Sequence, residues 1–579
     1  MALALVRPVP VWAWLGALVI VSAAVRFDLG RGIVAPWIVV DEIVWSDLAK
    51  SFAATGHPLV RERAGGFAFV YPILISPAYR LFGPVPEAYA AAKTINSVVM
   101  SLAAVPAYFL ARRVLTPGLS LAAAVLTVAV PSMVYTGTIM TENAFYPLFL
   151  TAALALILVL ERPTLGRTLA LFAVFGIAFE TRAQAVALLP AMLSAPILFV
   201  WFNRRGLRAL GEYRYLYGIA GLGVTLLLVL QLARGRSPLG LFGAYEGVSR
   251  FHYAVGPIAR WFVYHVAELD LYVGVIPFAS LLALAGLARR LPRPARAFLA
   301  AALPLTFWLL LEVAAFATRP DVGRIVDRYT FYLAPLLLIA LLVWIDNRGP
   351  RSDVAMVIAA VCAAALPGVI PYSKVIGGAA VSDTLALVPW WSLEDKGIDV
   401  YRVAVLASIA AAALFVLMPR RAALLLPVLV LLFFSIEQWP IETGRHSVRE
   451  TSRRSLFAGL ADKRRDWIDG TVGRDARVTA IWTGVSSPFT IWENEFFNRS
   501  VGPVYRLRLP LLGALPESQA LLDPRSGFFR DDQGLPIRAS YVLIDASVAL
   551  AGTPVAVDPG AGMLLYRIAG PVRAAGFAR

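Results

Sequence analysis

The chain has 579 residues, of which 59% are hydrophobic and 16% are charged, and its mean hydropathy is +0.71. A soluble globular protein carries about 25% charged and about 45–50% apolar residues, and a disordered chain is polar. The composition therefore excludes a single soluble domain and a disordered chain, and it predicts a polytopic membrane protein. The single cysteine, Cys362, excludes an intrachain disulfide and a cysteine zinc site.

Apolar runs long enough to cross a bilayer recur along the chain. A transmembrane helix needs about 20 apolar residues, and about 13 candidates meet that criterion. The first, from Val11 to Val25, is followed by no small-residue cleavage site and is expected to remain as a helix. Residues 67–82 are apolar but short and contain Pro72 and Pro77, which favours an interfacial or re-entrant segment. The span centres are expected near Ala17, Met100, Val125, Ala152, Val174, Ala191, Gly223, Leu281, Thr306, Leu338, Ala360, Ser408 and Leu429.

The net charge of +16 comes from 53 basic and 37 acidic residues, and its distribution predicts the orientation. Basic residues concentrate in one alternating set of short loops, as in Arg112-Arg113, residues 204–208, residues 289–293 and Arg420-Arg421. Such loops are typical of the cytoplasmic side. We therefore expect a cytoplasmic N-terminus and no nucleic-acid partner. The bias toward Arg and Ala favours a bacterial plasma membrane.

The last part of the chain differs in composition from the apolar part. Residues 1–438 are predicted to form the transmembrane domain, and residues 439–579 a small soluble domain on the outer side. Short β-like runs at Arg477–Trp482, Tyr541–Ile544 and Leu564–Ile568 predict strands in that domain. The expected fold class is an all-α polytopic membrane protein with a strand-containing extracytoplasmic domain.

Two adjacent carboxylates, Asp41 and Glu42, follow the first span on an apolar background. Desolvation at such a place raises carboxyl pKa values, and a carboxylate there could act as a general base toward a hydroxyl group. The alternative is an ordinary pair of acids at a helix N-terminus.

Other ionisable residues lie at predicted outer helix ends, where such residues are usually functional or paired. Glu142 begins the fourth span, and Arg182 follows the fifth. An arginine there can hold a phosphate, or it can snorkel to the interface. Arg324 and Arg328 are spaced i,i+4 and could face one anion, or they could bracket Asp327 in a salt bridge.

His265 and Trp390 are further candidates in the predicted outer loops. His265 could ligate a metal together with Glu268, although lining a substrate site or packing is the favoured reading. Trp390, beside Trp391, could stack on a sugar or belong to an interfacial aromatic belt.

The order of these motifs resembles the GT-C superfamily of polytopic glycosyltransferases, which take sugars from polyprenyl-phosphate donors. Relatives include bacterial transferases that depend on dolichyl- or polyprenyl-phosphate mannose or arabinose. The resemblance covers residues 8–345. It rests on Asp41-Glu42, Tyr71-Pro72, Leu81-Phe82-Gly83, Thr141-Glu142, Thr181-Arg182 and Arg328-Tyr329.

The resemblance implies an inverting transfer onto a hydroxyl of a cell-envelope glycan, a glycolipid or a protein. The resemblance also implies that Asp41 is the catalytic base and Glu42 a supporting acid. Arg182, Arg324 and Arg328 bind the donor phosphate. The substrate-binding residues are Glu142, Tyr71, His265 and Trp390.

The same residues bear on a metal requirement, on the expected partners and on alternative functions. Some relatives use a divalent metal, but the sequence has no Asp-x-Asp near the acidic pair, so no metal site is assigned. The expected partners are a polyprenyl-phosphate sugar, the acceptor and the lipid bilayer. A transporter or flippase of lipid-linked sugars, or another envelope glycan polymerase or ligase, remains the alternative. Transporters normally place ionisable residues near the bilayer midplane, between repeated halves.

Overall fold

The computed structural model describes residues 10–64, 68–235, 253–347, 354–461, 464–511 and 515–576. Up to residue 233 the helices are α1 Val11–Arg31, α2 Val39–Thr55, α3 Val70–Leu81, α4 Val85–Ser101, α5 Ala104–Ala111, α6 Pro117–Ala129, α7 Glu142–Glu161, α8 Leu165–Thr181, α9 Leu188–Phe202 and α10 Arg214–Ala233. The later helices are α11 Val255–Tyr272, α12 Ile276–Gly286, α13 Arg293–Ala317, α14 Ala334–Asp346, α15 Val354–Ala365, α16 Tyr372–Val375, α17 Gly378–Asp383, α18 Val388–Glu394, α19 Val400–Leu417, α20 Leu426–Thr443, α21 Val448–Gly459, α22 Trp467–Val472 and α23 Phe489–Phe497. The strands are β1 Leu59–Val60, β2 Arg63–Ala64, β3 Val478–Trp482, β4 Val501–Arg506, β5 Ser518–Gln519, β6 Leu521–Leu522, β7 Phe529–Arg530, β8 Tyr541–Asp545, β9 Thr553–Asp558 and β10 Met563–Arg567.

The apolar helices agree with the predicted spans. Within the described ranges, 8 helical segments are long and apolar enough to cross a membrane, or up to 10 if each of two bent pairs is one span. The bent pairs join α6 to the 3-10 turn Pro131–Gly137 and α11 to α12. Every predicted span centre lies in a helix, although α8 has only 17 residues and the helices around Leu338 and Ala360 are also shorter than a full span. The predicted mostly helical, multi-pass fold is confirmed.

The described chain divides into two compact units. Unit 1 comprises residues 1–26, 97–135 and 142–447, and unit 2 comprises residues 27–96, 136–141 and 448–579. This division differs from the single boundary that the sequence predicts at residue 438. The reason is that residues 27–96 fold together with the last part of the chain, to which side-chain hydrogen bonds join them.

Unit 1 is a bundle of apolar helices. The pair α9 and α13, the pair α7 and α8, and the pair α12 and α15 pack extensively, and α14 is buried almost throughout its length. Between α11 and α12 the chain turns by 114°, at Gly274 and Val275, which both have positive φ. A left-handed β-branched residue such as Val275 is rare, so surrounding contacts must hold this bend.

Unit 2 contains a six-stranded mixed sheet with strand order β5-β4-β3-β8-β10-β9. Strand β3 pairs in parallel with β4 and β8, and β10 pairs antiparallel with β8 and β9. Strands β3, β8 and β10 coincide with the three β-like runs, so the prediction of a strand-containing C-terminal region is confirmed. Helix α2 of the same unit packs on α3 and α23. It ends at Gly56, whose φ of 76° and N–H bond to the Phe52 carbonyl cap it.

Candidate functional site

The acidic pair lies in the first turn of α2 in unit 2. Its two carboxylates have different surroundings, because consecutive helical residues point in different directions. Glu42 is fully buried, whereas Asp41 is half-buried.

Both carboxylate oxygens of Glu42 accept backbone hydrogen bonds. Oε1 accepts from the N–H groups of Trp37 at 2.9 Å and Ile38 at 3.1 Å, and Oε2 accepts from Ile139 at 3.0 Å. The first two bonds satisfy N–H groups that precede the helix, as the acidic residue of a capping box does. Burial raises the pKa of Glu42 to about 7, and the backbone donors oppose that shift. Glu42 therefore connects two segments of unit 2 to the start of α2.

Tyr71 is also buried in unit 2 and supports the same segments. Its hydroxyl lies 3.2 Å from the Asn96 side-chain oxygen and 3.1 Å from the side-chain nitrogen. Asn96 in turn donates to the Thr138 carbonyl oxygen at 2.6 Å. The Tyr71 ring contacts that of Trp45 edge-on, with centroids 6.4 Å apart. Tyr71 thus packs against Trp45 of α2, and its hydroxyl binds Asn96 inside the protein.

Arg182 and Glu142 form a buried ion pair in unit 1. Arg182 Nη1 lies 2.9 Å from Glu142 Oε2, and its Nε donates to the Gln184 side-chain oxygen at 2.8 Å. The guanidinium also lies 4.4 Å from the centroid of the Tyr329 ring, and Gln184 donates to the Tyr329 carbonyl oxygen. The two residues that sequence places at separate helix ends are therefore in contact, and Tyr329 joins them to the Asp327–Tyr329 turn.

Arg324 and Arg328 share a single carboxylate, that of the buried Asp383 at the end of α17. Arg324 Nε contacts Oδ2 at 2.5 Å, and Arg328 Nε lies 2.9 Å from Oδ1. The Arg328 guanidinium also lies 5.0 Å from the Tyr329 ring, on which Arg182 packs as well. The three arginines predicted to bind phosphate thus form one group in unit 1.

Asp327 has a separate environment. Of the two alternatives for Arg324 and Arg328, the salt bridge that brackets Asp327 is not the arrangement found, since both arginines contact Asp383. Asp327 Oδ2 accepts from the Ala386 N–H at 2.9 Å. Burial raises the pKa of Asp327 to about 7, with backbone donors opposing the shift.

His265 and Trp390 occupy packed positions in unit 1. His265 Nδ1 lies 2.7 Å from the Trp261 carbonyl oxygen, and Nε2 accepts from the Val326 N–H at 3.1 Å. Because both ring nitrogens bind backbone, the geometry favours support of the loop before Asp327 over contact with a substrate. Trp390 is 8% exposed and belongs to a hydrophobic cluster, which favours packing over sugar stacking.

Metal ligation was one reading of the His265 region. Among the residues that the structure describes, no group of three or more His, Cys, Asp or Glu side chains is arranged to hold a metal ion.

Sequence reasoning missed Lys93, Asp383 and Ser452. Lys93 donates to the carbonyl oxygens of Gly30 at 2.9 Å and Ile33 at 2.6 Å, and an ionisable residue inside an apolar helix is a signal that could have identified it. Asp383 and Ser452 carry no such signal, since each lies in a short polar stretch far in sequence from its partners.

Comparisons with known proteins agree with this architecture. Residues 67–230 match the family model of dolichyl-phosphate-mannose-protein mannosyltransferase. No curated protein sequence matches the chain.

Two solved structures of ArnT from Cupriavidus metallidurans are similar to the chain over nearly its whole length. The structure bound to undecaprenyl phosphate has a TM-score of 0.54 and 15% identity, covering 97% of this chain and 99% of ArnT. The apo structure has a TM-score of 0.52 and 16% identity, covering 95% and 97%. The chain is a multi-pass membrane protein with the GT-C fold of polytopic glycosyltransferases.

Proposed function

We propose that this protein transfers a sugar from a polyprenyl-phosphate donor to a hydroxyl group of an acceptor, with Asp41 as the general base. The fold, the match to a mannosyltransferase family model over residues 67–230 and the similarity to an ArnT structure that contains undecaprenyl phosphate support this class of donor.

The observation that carries the proposal is the contrast between the two adjacent acids. Glu42 is fully buried, and its two oxygens accept hydrogen bonds from three backbone N–H groups. These bonds leave Glu42 poorly placed to accept a proton from a substrate. Asp41 is half-buried on the same helical turn, where an acceptor hydroxyl can approach it. A base must reach hydrogen-bond distance of the proton that it removes, and this favours Asp41.

The proposed reaction forms one bond and breaks one. The acceptor oxygen attacks the anomeric carbon while Asp41 accepts the hydroxyl proton, and the bond between that carbon and the phosphate oxygen breaks. The polyprenyl phosphate leaves with the bonding electrons. Attack from the face opposite the leaving group inverts the anomeric configuration.

Stabilisation of the leaving phosphate is assigned to Arg182, Arg324 and Arg328. Their group has three guanidinium charges and two acidic partners in direct contact, Glu142 and Asp383. Preorganised guanidinium groups in a site with little water stabilise developing phosphate charge strongly. In this proposal Glu142 and Asp383 hold the arginines in place, which gives Glu142 a supporting role at the substrate site.

The acceptor is proposed to be a cell-envelope glycan, a glycolipid or a protein, with arabinofuranose or mannose as the transferred sugar. The transfer is assigned to the outer face of a bacterial plasma membrane, because the short basic loops favour a cytoplasmic N-terminus.

The test is a transfer assay on purified full-length protein in detergent. Radiolabelled polyprenyl-phosphate arabinose or mannose is supplied with a cell-envelope glycan extract. We expect wild-type protein to transfer label and Asp41→Asn to lower the rate about 10²–10⁴-fold, the usual contribution of a general base. The matched control is Asp28→Asn, since the Asp28 side chain is 78% exposed.

Two results would contradict the proposal. Equal rates for wild type and Asp41→Asn would remove Asp41 as the base. Movement of intact lipid-linked sugar across vesicles without transfer would favour a flippase.

A further inference from the structure

The segment just before the acidic pair, residues 34–38, makes no backbone–backbone hydrogen bond through its N–H groups among the bonds of the described chain. Pro36 has no N–H group. The N–H groups of Val34 and Ala35 both donate to one atom, Ser452 Oγ, at 2.9 and 2.8 Å. Buried N–H groups need partners, and here a hydroxyl from α21 supplies them.

The remaining two N–H groups of the segment, those of Trp37 and Ile38, donate to Glu42 Oε1. All four N–H groups of residues 34–38 therefore bind two side-chain oxygens. One of these oxygens belongs to the residue after Asp41, and the other comes from the last part of the chain.

Side chains also hold the carbonyl groups of the segment. Ser452 Oγ donates to the Ala35 carbonyl oxygen at 2.7 Å, and Arg465 Nη1 donates to that of Val34 at 2.7 Å. A serine hydroxyl has one donor and two acceptor positions, and Ser452 uses all three on this segment. Ser452 is fully buried, so water does not compete for these bonds.

We propose that Ser452 is a positioning residue for Asp41, through which the C-terminal segment preorganises the catalytic turn. The inference rests on the proposed function. Residues 34–38 lead directly into α2, and Asp41 lies in the first turn of that helix. A shift of the segment moves the start of the helix and with it the Asp41 carboxylate. Misplacement by about 1 Å can lower a rate about 100-fold.

The chain offers a matched control on the same helix. Ser455 is also buried, and its hydroxyl donates to Glu493 Oε1 at 2.5 Å instead of to the segment. Ser452→Ala and Ser455→Ala each remove one buried hydroxyl from α21 and leave its former hydrogen-bond partners unpaired. Only Ser452→Ala releases residues 34 and 35.

The experiment measures hydrogen exchange and transfer on full-length protein in detergent. In Ser452→Ala we expect the amides of Val34 and Ala35 to exchange about tenfold faster or more, because their acceptor is gone. We also expect kcat to fall about 10- to 100-fold while the KM for the donor stays within about twofold. Ser455→Ala should leave both quantities near wild type, and Ser452→Thr, which keeps a hydroxyl, should restore part of kcat.

The outcomes separate this proposal from the proposed function. Unchanged exchange at residues 34 and 35, or equal loss of kcat in Ser452→Ala and Ser455→Ala, overturns the positioning role while transfer by wild type still supports the proposed function. Faster exchange without loss of kcat shows that the bonds are structural only and also overturns it. Absence of transfer by wild type, or full activity of Asp41→Asn, overturns the proposed function, and the positioning role falls with it.

Discussion

At the residue scale, the two acids at the start of α2 illustrate how burial divides roles between neighbours. Glu42 is held by three backbone donors, two from the residues just before the helix and one from Ile139. Asp41, one residue earlier, is half-buried. The pair should therefore respond differently to isosteric replacement by the corresponding amide.

We predict that Glu42→Gln destabilises the protein more than Asp41→Asn does. A glutamine keeps an acceptor at only one of the two oxygen positions of Glu42. At the other position its amide nitrogen faces a backbone N–H, so at least one buried donor loses its acceptor. The expected cost is about 1–3 kcal/mol, with transfer lowered through misplacement of Asp41. Thermal unfolding of both variants in detergent, together with their pH–rate profiles, checks this. A Glu42→Gln protein that is as stable as wild type but has lost the acidic limb of the pH–rate profile, the fall in rate at low pH, would instead make Glu42 the base.

The residue pattern identifies the acidic pair, and only the resemblance to a family assigns its members different roles. Their different surroundings depend partly on Ile139, which donates to Glu42 and meets α2 only after the chain has folded. Likewise, the i,i+4 spacing leaves open whether Arg324 and Arg328 face one anion or bracket Asp327, and in the structure both contact Asp383 of α17. Contacts between residues so far apart in the sequence produce no periodic pattern, so they cannot be predicted from local spacing.

At the element scale, apolar run length predicts the helices well, because each run must satisfy its own backbone in a bilayer. It predicts their ends and breaks less well. The bend between α11 and α12 needs positive φ at Gly274 and Val275, and a valine there is contrary to its local preference.

The ion pair between Glu142 at the start of α7 and Arg182 at the end of α8 gives a prediction at this scale. Glu142→Gln leaves the buried guanidinium without its carboxylate, which costs about 3–5 kcal/mol for buried pairs. The double variant Glu142→Gln/Arg182→Gln removes both charges, so we expect it to be more stable than Glu142→Gln alone. A double-mutant cycle of thermal stability measures the coupling. Additive effects of the two substitutions would contradict a direct pairing of α7 and α8 through these side chains.

At the scale of the whole molecule, unit 2 buries several carboxyl groups whose pKa values are raised by desolvation. Besides Glu42, these include Asp47, with a pKa of about 6, and Glu493, with a pKa of about 8. A carboxyl group whose pKa is higher in the folded state stabilises the fold at low pH. That contribution is lost as the pH rises from the unfolded pKa through the folded one. For Glu493 the interval runs from 4.5 to about 8.

Glu493 provides the sharpest test of this dependence. It is fully buried, Oε1 accepts from Ser455, and a glutamine can keep that bond without ever ionising. We predict that Glu493→Gln matches wild type at about pH 5 and becomes more stable by ~3 kcal/mol at about pH 8.5, because only the wild type must then bury a charge or take up a proton. Unfolding temperatures across this range measure the difference, with the exposed Glu394→Gln as the control that should follow wild type at every pH. A difference between Glu493→Gln and wild type that stays constant with pH would mean that Glu493 ionises equally in the folded and unfolded states, and burial would then have no effect on its pKa.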